Sequence, residues 1–166
     1  MFQRLLVAID GTETSDVTLS FASAIAQHSG AVVHVLYVNE YAVGSRGVPL
    51  RTNAEATELL TGAVGLLRAE GIRVSGSARR APYRHVPRHI VSSAADFSAD
   101  AIVVGTRRKR RLGRLFSSHV REHIIRLSTL PVIAAPAPLD LPADGRLVMA
   151  EMLEVDRDRT RSLSPQ

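Results

Sequence analysis

The sequence predicts an α/β fold in which one five-stranded parallel sheet, with strand order 3-2-1-4-5, carries helices on both faces. Five short apolar runs alternate with longer segments, most of which repeat apolar residues every three or four positions. Nearly continuous apolar runs are typical of parallel strands buried on both faces, and the longer segments are typical of helices. Right-handed crossovers and the need to cover both faces favour this doubly wound strand order.

Glycine and proline bound the predicted strands. In chain order the strands occupy residues 3–10, 31–38, 72–78, 100–105 and 130–136. Gly11 follows the first strand, while Gly30 and Gly71 precede the second and third. These glycines mark the points where the chain is expected to leave or enter a strand.

Four helices are predicted between the strands, at residues 14–30, 54–71, 89–99 and 117–129. Thr14 or Ser15 is the expected N-terminal cap of the first helix, and Gly30 is expected to end it. The connection at 41–53 contains glycine and proline and is predicted to be a lid or a mobile loop.

The chain has 166 residues, which is the size of one ordinary domain. We expect this domain at 1–136 and a partly disordered C-terminal extension at 137–166. No apolar run approaches the ~18 residues that cross a bilayer, and no signal peptide is recognisable, so we expect a cytoplasmic protein without a membrane partner. The chain contains no cysteine, which excludes disulfides, thiolate nucleophiles and cysteine-based zinc sites.

Ligands of doubly wound sheets bind where neighbouring strands diverge at their carboxyl ends, which here lies between strands 1 and 4. Asp10 and the loop after Gly105 should therefore face one crevice. Asp10 has two interpretations: it forms a turn with Gly11, or its carboxylate meets a ribose hydroxyl or a nucleotide-bound metal. Gly105 likewise either permits a turn or opens an anion-binding loop.

A helix that begins near Ser117 would direct free N–H groups towards an anion, and Ser117 and Ser118 would add hydroxyl donors. The loop before it carries six basic residues within 107–114. This run is a solvated loop, a phosphate clamp of arginine side chains, or a nucleic-acid patch. With few aromatics and no Trp to stack bases, nucleic acid is the least favoured partner.

The histidines do not predict a metal site. His119 and His123 lie four residues apart on the fourth predicted helix, and His85 and His89 lie four apart on either side of Pro87, which is expected to disrupt a shared helical face. Neither pair has an evident third ligand. Complete nucleophile-elbow, zinc-protease and Walker motifs are absent from the sequence, so a hydrolase or kinase is not supported.

Four segments, "LLVAIDGTETS", "HVLYVNE", "ADAIVVGT" and "LPVIAAP", together resemble the universal stress protein family over about residues 3–136. The resemblance implies a Rossmann-like fold of the adenine nucleotide alpha hydrolase type, frequent dimerisation, and either an ATP-binding or a non-binding branch. The binding branch has a loop of the form G-x-x-G, nine residues, then G-[ST]. Here Gly105 matches the first glycine, but Arg108, Ser118 and His119 stand at the other three positions.

The resemblance also implies roles for residues outside that loop. Asp10 matches the acidic residue that faces ribose and metal, Val38 the residue whose backbone meets adenine, and Val120 the hydrophobic residue after the loop. The nucleoside half of the site is therefore kept, while the triphosphate half is altered. A side chain at position 108 would block the close approach that glycine permits.

The sequence therefore predicts a non-catalytic regulatory module with a pocket for an adenine nucleotide, ATP or AMP, bound weakly or not at all, with magnesium only alongside the nucleotide. Two alternatives stay open: a weak nucleotide hydrolase of the same fold, and an arginine-loop module that docks on a polyanion or an acidic partner protein. The regulatory protein partner is not identified. A homodimer through residues 130–136 is also expected, because this apolar edge strand has no lysine to discourage pairing.

Overall fold

Five parallel strands form one sheet in the order β3-β2-β1-β4-β5, which confirms the predicted fold class. The computed structural model describes residues 1–41, 49–106 and 118–137. The strands are β1 (Arg4–Ile9), β2 (Val32–Tyr41), β3 (Val74–Pro82), β4 (Ala101–Val104) and β5 (Val132–Ala134). The helices are α1 (Glu13–Ser29), α2 (Asn53–Ala69), α3 (Val86–Asp96) and α4 (Ser118–Leu127), with a 3₁₀ turn at Tyr83–His85 before α3.

Alternate side chains of the strands enter two separate hydrophobic cores. Leu5, Val7 and Ile9 of β1 face the core that contains residues of α1 and α2. Leu6 and Ala8 face the core that contains residues of α3 and α4. Because both faces of the inner strands are buried, these strands appear in the sequence as continuous apolar runs.

Two strands extend beyond their predicted ends. β2 continues to Tyr41 rather than residue 38, and β3 runs from Val74 to Pro82 rather than over 72–78. The two strands pair along nine successive residues, from Val33 with Val74 to Tyr41 with Pro82. Most of the β3 side chains are not buried, because this strand is at the sheet edge. Several of them are polar, so the full strand does not appear as an apolar run in the sequence.

The predicted starts of two helices were wrong. α3 begins at Val86 rather than residue 89, and Pro87 lies in its first turn, where a helix does not need the missing N–H. Pro87 therefore does not disrupt the helix as expected. The N-cap of α1 is Thr12 rather than Thr14 or Ser15, since Thr12 is the extended residue before the helix. Gly30 ends α1 in the left-handed conformation, as predicted.

Several expectations concern parts of the chain outside the described residues. These parts are 42–48 of the predicted lid or mobile loop, the arginine run, and 138–166 of the predicted extension. Within the described ranges, no helix is long and apolar enough to cross a membrane. The cytoplasmic location stays a prediction. β5 is an edge strand, as predicted, and the homodimer through it stays a prediction as well.

Candidate functional site

The strand register brings three predicted site residues to one edge of the sheet. Ile9 pairs with Tyr37 and Ala8 pairs with Val104. Asp10, Val38 and Gly105 each directly follow one of these paired residues. Asp10 and Gly105 therefore lie at the carboxyl ends of β1 and β4, where these strands diverge, and Val38, inside β2, lies level with Asp10.

Asp10 is buried and forms the turn that leads into α1. Its Oδ1 accepts hydrogen bonds from the Thr12 N–H at 2.9 Å, the Thr12 hydroxyl at 2.6 Å and the Ser15 hydroxyl at 3.0 Å. The Ser15 hydroxyl in turn accepts from the Gly11 N–H at 2.9 Å, and Gly11 has a φ of 71° that favours glycine. The turn-forming interpretation of Asp10 therefore holds in the structure.

The second carboxylate oxygen of Asp10 differs from the first in its hydrogen bonding. Asp10 Oδ2 is buried and has no hydrogen-bond partner among the residues that the structure describes. A buried polar atom without a partner costs about 1–3 kcal/mol, so such an atom is a natural acceptor for a ligand hydroxyl or a cation. Asp10 can thus form the turn with one oxygen and bind a ligand with the other.

Gly105 is required by packing rather than by turn conformation. Its φ is outside the left-handed region that Gly11 occupies. A Cβ at this position would lie 2.6 Å from Thr14 Cγ2 and 2.7 Å from Thr18 Oγ1, both on α1. The interpretation of Gly105 as a residue that only permits a turn is corrected: its missing side chain lets the end of β4 approach α1.

Val38 and Val120 are both buried in the core between the sheet and the helices α3 and α4. A cavity of about 390 Å³ opens on this side of the fold. Its walls are formed by Tyr83, Arg84, Pro87, Val120 and His123. The predicted site residue Val120 thus lines a cavity, and the cavity combines apolar, aromatic and basic groups.

The remaining predicted site residues lie wholly or partly outside the description. Arg108 and Ser117 are in the undescribed segment. Ser118 and His119 are described only as backbone in the first turn of α4. The helix start predicted near Ser117 is confirmed within one residue, and the roles of these four side chains stay predictions.

Sequence reasoning missed a contact that connects the β2–α2 connection to the Asp10 turn. Arg51 Nη2 donates to the Gly11 carbonyl oxygen at 3.0 Å. The buried side chain of Asn39 holds the Arg51 backbone, accepting from its N–H at 3.2 Å and donating to its carbonyl oxygen at 2.7 Å. Arg51 is 40 residues from Gly11 in sequence, and no local pattern announces the pairing.

Arg51 also affects Tyr37, the β2 residue that pairs with Ile9. Burial raises the pKa of the Tyr37 phenol, and the charge of Arg51 and a hydrogen bond to it oppose that rise. The phenol and the guanidinium therefore belong to one polar cluster at the carboxyl edge. This cluster keeps residues after β1 and β2 close together.

Within the described ranges, no group of three or more His, Asp or Glu side chains is arranged to hold a metal ion. His123 lines the cavity, while the side chain of His119 is not described.

Comparisons with known proteins agree with the fold and with the resemblance. The model of the universal stress protein family matches residues 1–136. A universal stress protein from Archaeoglobus fulgidus is 28% identical, with a TM-score of 0.63 over 82% of this chain and 95% of that chain. The universal stress protein from the same organism in complex with dAMP is 27% identical, with a TM-score of 0.59 over 81% of this chain and 98% of that chain.

A universal stress protein in complex with cAMP, 24% identical, has a TM-score of 0.61 over 80% of this chain and 95% of that chain, and it shows the same fold. No curated protein matches the sequence significantly. The family model covers most of the chain, and the fold has the expected strand order. The chain therefore belongs to the universal stress protein family.

Proposed function

We propose that this protein is a non-catalytic regulatory module that binds an adenine nucleotide at the carboxyl edge of the sheet, mainly through the nucleoside. The observation that carries the proposal is the buried Asp10 Oδ2, which has no partner among the described residues. The universal stress protein in complex with dAMP, 27% identical to this chain, supports the same ligand class.

A nucleoside fits the chemistry of this edge. A ribose hydroxyl would donate the hydrogen bond that Asp10 Oδ2 lacks, and a charged acceptor makes such a bond stronger than a neutral one. The cavity of about 390 Å³ that Val120 lines has a volume typical of small-molecule sites. Val120 and Pro87 supply apolar contacts for a base or sugar, and Tyr83 supplies an aromatic ring.

The phosphates are expected to contribute little in this site. Arg108, Ser118 and His119 replace three motif residues of the nucleotide-binding branch. Glycine at such positions lets phosphate approach backbone N–H groups, and a Cβ hinders that approach. Magnesium, in this proposal, comes with the nucleotide, and Asp10 is the carboxylate placed to help hold it.

Calorimetry with ATP, ADP and AMP tests the proposal. We expect all three to bind, with affinities within about tenfold of one another, a spread of roughly 1.4 kcal/mol. ATP that binds a thousandfold more tightly than AMP would show that the loop after β4 is a working triphosphate site. Absence of binding for all three would overturn the proposal.

Phosphate-release measurements on the same samples separate this module from a nucleotide hydrolase. A regulatory module should release no phosphate above the rate of a buffer control over hours. Release that scales with protein concentration and disappears in Asp10→Asn would favour the enzyme instead.

A further inference from the structure

We infer that the cavity between α3 and α4 is a binding site for a phosphate monoester, with the phosphate held by Arg84 and His123 and a flat apolar group against Tyr83, Pro87 and Val120. This inference rests on the proposed function in that Tyr83, Pro87 and Val120 contact the base or sugar there, and it adds Arg84 and His123 as the groups that hold a phosphate. The site lies in a different group of residues from the loop after β4, to which the family motif assigns phosphate.

The cavity walls favour an anion. Among the residues that the structure describes, five line the cavity, and none of these five is acidic. The Arg84 guanidinium offers several N–H donors and always carries a positive charge. His123 faces the same space from α4 and adds a second nitrogen-bearing group. Two such groups in one cavity suit an anion with several acceptor oxygens, and a phosphate monoester has three.

Arg84 is free to take that role. Its side chain is exposed, and in the part of the chain that the structure describes it makes no hydrogen bond or ion pair. The described ion pair of this region joins Arg79 and Asp96 instead. A guanidinium at a cavity wall without a carboxylate partner can bind phosphate without first breaking an ion pair.

The other walls define what is attached to the phosphate. Pro87 is in the first turn of α3 and Val120 is in the first turn of α4, and both are buried. Tyr83, half-buried, packs against the same hydrophobic core. A planar ring fits between such groups, and aromatic stacking on tyrosine is favourable for it. The ligand class is therefore a phosphate monoester that carries an aromatic or heterocyclic group.

Two sources supply that chemistry: the 5′-phosphate of a mononucleotide, and a separate aromatic phosphate ester. Phenyl phosphate is a probe of the site itself, because it has the ring and the phosphate but no ribose for Asp10. AMP and adenosine then show whether a nucleotide places its own phosphate in the cavity.

The test is an NMR titration of the full chain with phenyl phosphate, with the resonances of the His123 ring as readout. We expect saturable shifts of these resonances and an affinity at least tenfold weaker in Arg84→Gln. Arg84→Lys keeps the positive charge but loses the two-pronged geometry of the guanidinium. The affinity of this variant for phenyl phosphate should therefore lie between those of the unmodified protein and Arg84→Gln. Arg88→Gln is the matched control, since Arg88 is exposed on α3 but does not line the cavity.

If Arg84→Gln and Arg88→Gln lost equal affinity for phenyl phosphate, the inference would be overturned, because the attraction would then depend on the net positive charge and not on the position of Arg84. The inference would also be overturned if Arg84→Gln bound phenyl phosphate as tightly as the unmodified protein does. Absence of saturable shifts in the unmodified protein would overturn it as well. The AMP titration separates this inference from the proposed function: binding of phenyl phosphate without binding of AMP or adenosine contradicts the nucleoside site alone. If Arg84→Gln reduces the affinity for AMP to that for adenosine, the cavity holds the nucleotide's own phosphate.

Discussion

The polar side chains at the two ends of the sheet differ in how completely they are hydrogen-bonded. Near the amino end, the half-buried His34 of β2 uses both ring nitrogens: Nδ1 is 2.8 Å from the Ser75 hydroxyl and Nε2 is 2.8 Å from the Ser77 hydroxyl. At the carboxyl end, Asp10 uses one oxygen three times and leaves the other without a partner among the described residues. Both are polar groups on strands or strand ends, but only one has bonding capacity left for a ligand.

Aromatic and charged groups complete the amino end. The Phe97 ring lies 5.1 Å from the His34 ring, and the Arg4 guanidinium lies 4.2 Å from the centre of the Phe97 ring. Arg4 Nε also donates to the Phe97 carbonyl oxygen at 2.8 Å, and Asp100 accepts from the N–H groups of Gln3 and Arg4. These contacts join β1, β2 and the chain after α3, so they stabilise the fold.

This difference indicates how a structural polar cluster can be distinguished from a candidate site. Hydrogen bonds that satisfy every group make a cluster rigid and leave nothing for a ligand. An unpaired buried oxygen lowers stability, and a ligand that donates a hydrogen bond to it can restore that stability. Three substitutions test the comparison, and they follow from the largest expected effect to the smallest.

Gly105→Ala should reduce the free energy of unfolding by about 1–3 kcal/mol, because its Cβ would overlap the buried side chains of Thr14 and Thr18. Urea denaturation measures the change. Gly62→Ala is the control: it is a helical glycine of α2 with nothing within 4 Å of the added Cβ, and alanine there should stabilise by about 0.5–1 kcal/mol. A neutral effect of Gly105→Ala would mean that the carboxyl end of β4 can move away from α1, contrary to its tight packing.

Asp10→Asn should weaken adenosine and AMP binding about tenfold, roughly 1.4 kcal/mol, because an amide at this position has one oxygen and the turn already uses it. Calorimetry gives the affinity, and thermal unfolding checks that the fold is retained. His34→Gln, at the opposite end, should leave the affinity unchanged. Equal losses in both variants would show that the two ends are not separate in function.

The smallest effect should be a loss of stability in mild acid that depends on His34. Burial, helped by the charge of Arg79, lowers the pKa of His34 below its usual 6.5. The unfolded chain then takes up a proton before the folded protein does, so the free energy of unfolding is complete above about pH 6.5 and falls as pH drops towards the lowered pKa. Urea denaturation between pH 7.5 and 5 should show a shallower decline in His34→Gln. An identical pH profile in the two proteins would contradict the account of this cluster.

Some features of the fold could be predicted from the sequence because they depend on near neighbours. The strands β1 and β4 are buried on both faces, so each appears as an uninterrupted apolar run. β3 was predicted too short, because most of its side chains are exposed and what extends it is pairing with β2. α3 was predicted to begin too late, and Pro87, which was expected to disrupt a helical face shared by His85 and His89, lies in its first turn, a place that suits proline.

By itself, the sequence determined the family and the position of Asp10 at the end of β1, since both depend on local periodicity or on a motif. It also determined the strand order, because the alternation of strands and helices combines with the general rule of right-handed crossovers. Only the tertiary structure decided that Arg51 reaches Gly11 and that Gly105 packs on α1. It also brought Tyr83 and Arg84 to the same cavity as His123, which is about forty residues further along the chain. Such contacts follow from the register of the sheet and the placement of helices on it, and no pattern within a short stretch of sequence encodes them.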